Sequence, residues 1–412
     1  MRDHSIDAGV AVNGRDRVID TGVVDPSELT RATRRAVTRA LAEDLDIDGD
    51  VTGLATLSAL RWVEAEVVAR QAGVVAGVEA LRETFAQVDS RVQVDVFAPD
   101  GVDVVADEVI AVVVGPVRSV LAGERTALNF LGRLSGVATA TNAVVRLLDG
   151  TGVFVRDTRK TTPGLRLLEK HAVACGGGRN HRIGLFDAVL VKDNHIAAAG
   201  SLRKAVLEAR RRAGGRHVQV EVMSLAELDV ALEAGAEDIL LDNFSVDDVV
   251  TAAEVAEGRA RLEASGNLTS VTVRAYAEAL GPGGRLAVGA ITHSAPSLDV
   301  ALDVVQASDH PDDLLQPAVV EPAAIPQPQP AVQPQPAVQP EPAVQPEPAV
   351  QPEPAVGAEP ASSPEAAGQP EPAAAPEAAG QPEPAAGPEA AAEPEVAVDV
   401  DPTIELSPIA EA

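Results

Sequence analysis

Residues 156–195 read RDTRKTTPGLRLLEKHAVACGGGRNHRIGLFDAVLVKDNH. They hold eight basic residues, Arg156, Arg159, Lys160, Arg166, Lys170, Arg179, Arg182 and Lys192, against four carboxylates, Asp157, Glu169, Asp187 and Asp193. The segment therefore carries 8 − 4 = +4 inside a chain of formal net charge −29. An island of fixed cations in an acidic chain suits a ligand with several negative charges. Thr161-Thr162-Pro163-Gly164 and Gly176-Gly177-Gly178 add places where the backbone can turn sharply and bring N–H groups close to an anion. A solvated basic surface would give the same composition, so charge alone leaves both readings open.

Position decides more than composition. From about Thr151 the chain alternates short apolar runs with helical stretches, the pattern of parallel βα units. The expected strands are VFVRD, AVLVKD, VQVEVM, DILLDN, RLEAS and LAVGAI. They end in Asp157, Lys192, Glu221, Asp242, Ser265 and Gly289. In a (β/α) barrel the C-terminal strand ends form the site-bearing face, so six polar terminations predict a pocket of mixed charge. Any one of them could simply mark where a strand stops, but the set is harder to explain that way. Upstream, Asp25-Pro26 predicts an N-cap and first helical residue for SELTRATRRAVTRALAEDL. Alternating residues in WVEAEVVARQAGVVAG and VQVDVFAPDGVDVVADEVIAVVVG predict antiparallel strands, and a helix follows over about Val117–Leu148.

The expected fold is thus α+β followed by α/β. The division is a flexible leader over 1–24, an N-terminal domain of α+β pattern over 25–150, a domain of parallel βα units over 151–308, and a tail over 309–412. Segments near 290–310 are expected to pack back on the N-terminal domain. From Leu315 to Ala412 there are 24 prolines, 16 carboxylates, no Lys or Arg and no aromatic residue, so this stretch cannot bury enough apolar surface to offset its ordering entropy. Glu recurs every sixth residue from Glu341 to Glu389 among the prolines, and an extended, disordered chain is expected. Without the tail the charge is −29 + 16 = −13, which disfavours nucleic acid and anionic membranes as partners. The single cysteine, Cys175, excludes an intramolecular disulfide and a cysteine-built zinc site. No signal-like or membrane-length apolar run stands out, so a cytoplasmic protein acting on a small molecule is expected.

The wording of the basic block is itself distinctive. DTRKTTPGLRLLEK, GGGRNHRIGL and KDNH resemble the quinolinate phosphoribosyltransferase (nicotinate-nucleotide pyrophosphorylase) family, as do LAEDL, GDVT, GERTALNFLGRLSGVATAT, VEVMSLAEL, ILLDNFS, LEASGNL and VGAITHS. The similarity runs in order over about residues 30–305. His171 departs from it, since the family pattern leads one to expect tyrosine there. The resemblance implies an N-terminal α/β sandwich over 25–150 with a C-terminal open or irregular (β/α) barrel over 151–308. It also implies transfer of phosphoribose from phosphoribosyl pyrophosphate to quinolinate with loss of carbon dioxide, with Mg²⁺ as cofactor. By that resemblance Arg125, Thr158, Arg159, His181, Arg182 and Lys192 hold quinolinate or pyrophosphate, and Lys160 sits near the reacting centre. Glu221 and Asp242 hold the ribose hydroxyls directly or through Mg²⁺. Ser265, Gly266, Asn267, Gly289 and Ala290 bind the 5′-phosphate. A homodimer is implied, with Arg125 reaching the neighbouring site. A related transferase for another aromatic acid, and an inactive barrel whose tail recruits partners, are the alternatives.

Overall fold

Asp25 opens the first helix, α1 (Pro26–Leu45), by accepting from the backbone N–H groups of Ser27 at 2.8 Å and Glu28 at 3.2 Å. This satisfies donors that the first helical turn leaves without partners, and Pro26 supplies a preset φ. The structure, a computed structural model, describes residues 24–266 and 268–315. The sequence expectations for the leader before Val24, for Asn267 and for the chain beyond Leu315 lie outside the described residues.

After a short helix α2 (Val51–Thr56), the chain builds β1 (Trp62–Ala69) and β2 (Gly73–Val74). Helix α3 (Val78–Val88), β3 (Gln93–Val96), β4 (Asp103–Val104) and β5 (Val109–Pro116) follow. Strands β1, β3 and β5 join β12 (Val300–Ser308) in a four-stranded antiparallel sheet of order β12-β1-β5-β3. Val63, Ala65 and Val67 alternate inward along β1 and pack with Leu81 and Phe85 of α3 and with Ile110 and Val113 of β5. Sequence periodicity marks these strands correctly, whereas α2 and α3 were not expected.

The 31-residue helix α4 (Val117–Leu147) is the spine between the two halves, touching α3 and β5 on one side and α5 (Arg166–Cys175) on the other. Its glycines allow the closest approach: a Cβ on Gly136 would stand 2.0 Å from the Pro296 carbonyl oxygen. The chain leading into β12 therefore lies directly on the helix backbone.

The second half contains β6 (Phe154–Arg156), β7 (Val189–Val191), β8 (Val218–Val222), β9 (Asp238–Asp242), β10 (Arg261–Ser265) and β11 (Arg285–Ala287). Helices α6 (Asp193–Ala199), α7 (Leu202–Arg212), α8 (Leu225–Glu233), α9 (Val246–Ala256) and α10 (Val273–Leu280) connect them. All strands are parallel, in the order β6-β11-β10-β9-β8-β7. This is chain order read around a circle, so the sheet is a barrel opened between β6 and β7. Beside β6 the opening is edged by the segment of Arg179, which forms a parallel bridge with Arg156. The expected open barrel is what the chain forms. One strand differs: LAVGAI was read as strand throughout, but β11 stops at Ala287 and α11 (Ala290–His293) begins after Gly289. A short apolar run does not by itself distinguish strand from helix. Here the turn places Thr292 Oγ1 2.9 Å from the Lys160 carbonyl oxygen, which accepts its hydrogen bond. Beyond β12 the chain makes one 3₁₀ turn, Pro311–Asp313, and buries Leu314.

Candidate active site

The period of two along a strand sorts the barrel interior into layers. In β8, β9, β10 and β11 the residues Gln219, Asp238, Glu263 and Arg285 are buried, and two positions further on in β8, β10 and β11 stand Glu221, Ser265 and Ala287. The lower layer is a closed ionic network with Arg156 of β6. Arg156 Nη1 lies 2.8 Å from Glu263 Oε2, and Gln219 Nε2 donates to both Asp238 Oδ1 at 2.8 Å and Glu263 Oε2 at 2.7 Å. Arg285 pairs with Asp238 at 2.5 Å. Burial opposes the charge on Asp238, yet His217 and Arg285 hold its carboxyl well below the ordinary carboxylate range. For Glu263 burial is likewise outweighed, chiefly by Arg156.

The upper layer surrounds a cavity of about 250 Å³ at the C-terminal strand ends, as a barrel site requires. It is lined by Thr158, Arg159, Lys160, His181, Arg182, Leu190, Lys192, Glu221, Leu240, Asp242, Ser265 and Ala287. Nine of the residues named from sequence thus meet in one place: Thr158, Arg159, Lys160, His181, Arg182, Lys192, Glu221, Asp242 and Ser265. Lys192 and Glu221 form an ion pair across neighbouring strands. Arg182 is 7% exposed and donates through Nη1 to the Ala188 carbonyl at 3.1 Å. Burial and then the nearby Arg159 lower the Arg182 guanidinium from its ordinary value. The Nε atoms of Arg159 and Arg182 are buried with no hydrogen-bond partner in the protein. A buried donor without a partner is costly, so two of them on side chains that line one cavity suit an anion.

His181 is held differently from a free acid or base. Its Nδ1 accepts from the Arg182 backbone N–H at 2.8 Å, which leaves the proton on Nε2, donated to Gln219 Oε1 at 2.9 Å. Burial pushes its pKa down to about 4, so the ring is neutral at pH 7. Both nitrogens are engaged, and the ring fixes the backbone of Arg182 above the ionic layer.

Four other described residues named from sequence stand apart. Gly266 follows Ser265 with φ +95°, and a Cβ there would meet Asn243 Oδ1 at 2.1 Å, so glycine is needed for the turn. Gly289 and Ala290 begin α11 beside the stem of Lys160, outside the cavity lining. Asn267 lies outside the described residues. Arg125, on α4, has a side chain 66% exposed, is paired among the described residues with Glu124 at 3.8 Å, and does not line the cavity of its own chain.

The basic block also divides, which its net charge could not reveal. Arg159, Lys160, Arg182 and Lys192 face the cavity, but the other four basic residues serve the fold. Arg156 belongs to the lower layer, and Lys170 pairs with the fully buried Asp157 at 2.7 Å. Arg166 donates to Thr161 Oγ1 at 3.0 Å, and Arg179 stacks 3.6 Å above the Phe154 ring. Asp157, expected among the polar strand ends of the pocket, instead accepts from Lys170 and from the His181 backbone N–H at 2.6 Å. Burial raises the Asp157 carboxyl and lowers the Lys170 ammonium.

Sequence reasoning missed the supports of the Lys160 loop. Arg133 of α4 reaches Glu169 Oε1 at 2.8 Å and the Ala295 carbonyl at 2.7 Å. Glu169 in turn accepts from Thr162 N at 3.0 Å and Thr162 Oγ1 at 2.6 Å. The available signal was a charged residue on an otherwise apolar helix face, Arg133 between Leu131 and Leu134.

Comparison with known proteins agrees with this geometry. Residues 50–135 match the model of the quinolinate phosphoribosyl transferase N-terminal domain, and residues 137–303 match its C-terminal domain. A relative from Bacillus subtilis, named as a probable nicotinate-nucleotide pyrophosphorylase [carboxylating], is 43% identical over 60% of this chain and 85% of its own length. A Mycobacterium leprae nicotinate-nucleotide pyrophosphorylase [carboxylating] is also 43% identical, over 66% of this chain and 97% of its own. The solved structure of the nicotinate-nucleotide pyrophosphorylase from Francisella tularensis is 39% identical with a TM-score of 0.65, covering 70% of this chain and 99% of that one. Two adjoining domain matches in the expected order, on a barrel whose strand ends gather the expected cations, make this chain a member of the quinolinate phosphoribosyl transferase family.

Proposed function

We propose that the cavity binds quinolinate beside phosphoribosyl pyrophosphate and performs the reaction of the family, giving nicotinate mononucleotide, carbon dioxide and pyrophosphate in NAD biosynthesis. One observation carries this reading: four cations converge on one cavity, and two of them present buried donors with no partner in the protein. Quinolinate brings two carboxylates and the sugar donor brings a pyrophosphate and a phosphate, which is the charge such a cavity lacks.

The cavity lining supports the following roles. Arg159 and Arg182 suit a carboxylate because a planar guanidinium can meet it with two parallel hydrogen bonds. His181 positions Arg182, and Lys192, held by Glu221, adds a third cation at the rim. Thr158 and Lys160 line the same wall, Lys160 as a point charge near the reacting carbon. Glu221 and Asp242 face the ribose, and Ser265 receives the 5′-phosphate together with Gly266, Asn267, Gly289 and Ala290, which the family resemblance adds. In the reaction the pyridine nitrogen forms a bond to the sugar carbon as pyrophosphate departs with its electron pair. Positive charge that develops on the sugar is stabilised by the two carboxylates. The alkylated ring then accepts the electrons released as the adjacent carboxylate leaves as carbon dioxide, and a solvent proton fills the vacated ring position. The protein's share is positioning and electrostatics.

Mg²⁺ fits the oxygen donors of Glu221 and Asp242, because this ion is commonly held by one or two carboxylates plus substrate phosphates. When bound it neutralises phosphate charge. The exposure of Arg125 and its absence from its own cavity support a homodimer in which it completes the partner's site. No helix among the described residues is long and apolar enough to cross a membrane. A lone free thiol supports a reducing cytoplasm, although some plant relatives are named as chloroplastic.

The test is substrate choice. Protein supplied with phosphoribosyl pyrophosphate and Mg²⁺ should form nicotinate mononucleotide from quinolinate and none from nicotinate, which lacks the second carboxylate. Equal use of nicotinate would refute the two-carboxylate reading.

A further inference from the structure

Asp100, His171 and Cys175 meet away from the cavity, where the loop between β3 and β4 touches α5. His171 and Cys175 are one helical turn apart on the same face of α5, and Asp100 approaches from the opposite loop. His171 Nε2 lies 2.9 Å from Asp100 Oδ2 and 3.4 Å from Cys175 Sγ. The three ligand atoms lie within 4.8 Å of one another, and among the described residues no other trio of His, Cys, Asp or Glu does so. Both contacts converge on one imidazole nitrogen, a geometry a relay triad does not use, since a relay needs both ring nitrogens.

We propose that Asp100, His171 and Cys175 form a binding site for a borderline divalent cation of the Zn²⁺ class, a mixed set with one sulfur and not the several-cysteine site that a single Cys excludes. Zn–S and Zn–N bonds of about 2.3 and 2.0–2.1 Å at a tetrahedral angle separate sulfur and nitrogen by roughly 3.6 Å, close to the 3.4 Å found. The carboxylate has only to withdraw by about half an ångström to take its own place. Its orientation is already set, because Asp100 Oδ1 accepts from the Val78 backbone N–H at 3.0 Å and leaves Oδ2 for the ion. The side chains of His171 and Asp100 are 33% and 20% exposed, so an ion can enter and water can supply a fourth ligand. A thiolate and an imidazole select against Mg²⁺, which prefers oxygen throughout. The bound ion would staple the N-terminal half to α5, the helix whose Glu169 and Lys170 hold the loop and strand end beside the cavity.

Cobalt titration of the full chain, kept reduced, tests this directly. The chain has one cysteine, so a thiolate-to-cobalt charge-transfer band can come only from Cys175, and carboxylates elsewhere cannot produce it. The expected result is a band that saturates at one ion per chain, is bleached by Zn²⁺ and is absent in Cys175→Ser. Asp100→Asn, and His171→Tyr, which restores the residue the family pattern leads one to expect, should weaken binding at least about tenfold, the loss seen even for outer-shell partners. Zn²⁺ should raise the melting temperature of the wild type and leave Cys175→Ser unchanged. No band at a large excess of cobalt would overturn the site. A band of unchanged affinity in both Asp100→Asn and His171→Tyr would also overturn it, since it would report a lone thiol adduct.

Discussion

Arg159 and Lys160 carry charge at a cleft, with little packing to lose. Arg159→Ala and Lys160→Ala should therefore keep the wild-type melting temperature while losing about 2–4 kcal/mol of transition-state stabilisation, roughly a hundredfold or more in kcat/KM. Steady-state kinetics with circular dichroism checks this, and near-wild-type turnover in either variant would remove that residue from the site. His181 makes a different prediction. Its folded pKa of about 4 lies below the ordinary 6.5, so the unfolded chain binds the proton first as pH falls. The stability it contributes is complete above about pH 6.5 and is lost as pH drops through 4. At 1.36 kcal/mol per pKa unit the loss is on the order of 3 kcal/mol. The difference between wild-type and His181→Gln unfolding free energies, measured from pH 7 to 4.5, isolates it, and parallel curves would mean the ring is not held neutral. The site cations were legible in sequence because DTRKTTPG, GGGRNHR and KDNH cluster them. Which four face the cavity came from the family resemblance and not from charge, since by composition Lys170 and Lys192 look alike until folding buries one against Asp157.

At the scale of elements, six apolar runs with polar ends sufficed to predict parallel βα units, because parallel strands covered by helices read as continuous apolar segments, and the family resemblance supplied their closure into an open barrel. The same rule hid the ionic layer. Gln219, Glu263 and Arg285 sit at inward positions of strands that a composition-based reading treats as uniformly apolar. Helix α3 was hidden for another reason: its Val78, Leu81, Phe85 and Val88 recur at helical spacing between two valine-rich strands that drew the reading toward sheet. The layer has a measurable consequence. Glu263 is fully buried between Arg156 at 2.8 Å and Arg285 at 3.6 Å, so Glu263→Ala strips a counter-charge from the barrel interior. Removing one partner of a buried ion pair typically costs about 3–5 kcal/mol. Denaturant unfolding should show a loss of that size, and a loss under about 1 kcal/mol would mean that water or repacking compensates for the carboxylate.

Across the whole molecule the unresolved charge is Arg125, which its own cavity does not use. If it completes a partner's site, Arg125→Ala and Lys160→Ala homodimers are each inactive, while a mixed dimer has one doubly damaged site and one intact site. Random re-association of equal amounts makes about half the dimers mixed, so roughly a quarter of wild-type activity should return. If Arg125 serves its own chain, no site in any mixture is whole and nothing returns after verified exchange. The central claim is the decarboxylating transfer itself. Quinolinate labelled in the carboxyl group adjacent to the ring nitrogen, incubated with the protein, phosphoribosyl pyrophosphate and Mg²⁺, measures it most directly. One labelled carbon dioxide should be released for each nicotinate mononucleotide formed, and Arg159→Ala should suppress both together. Retention of the label in a nucleotide product, or no nucleotide at all, would contradict it.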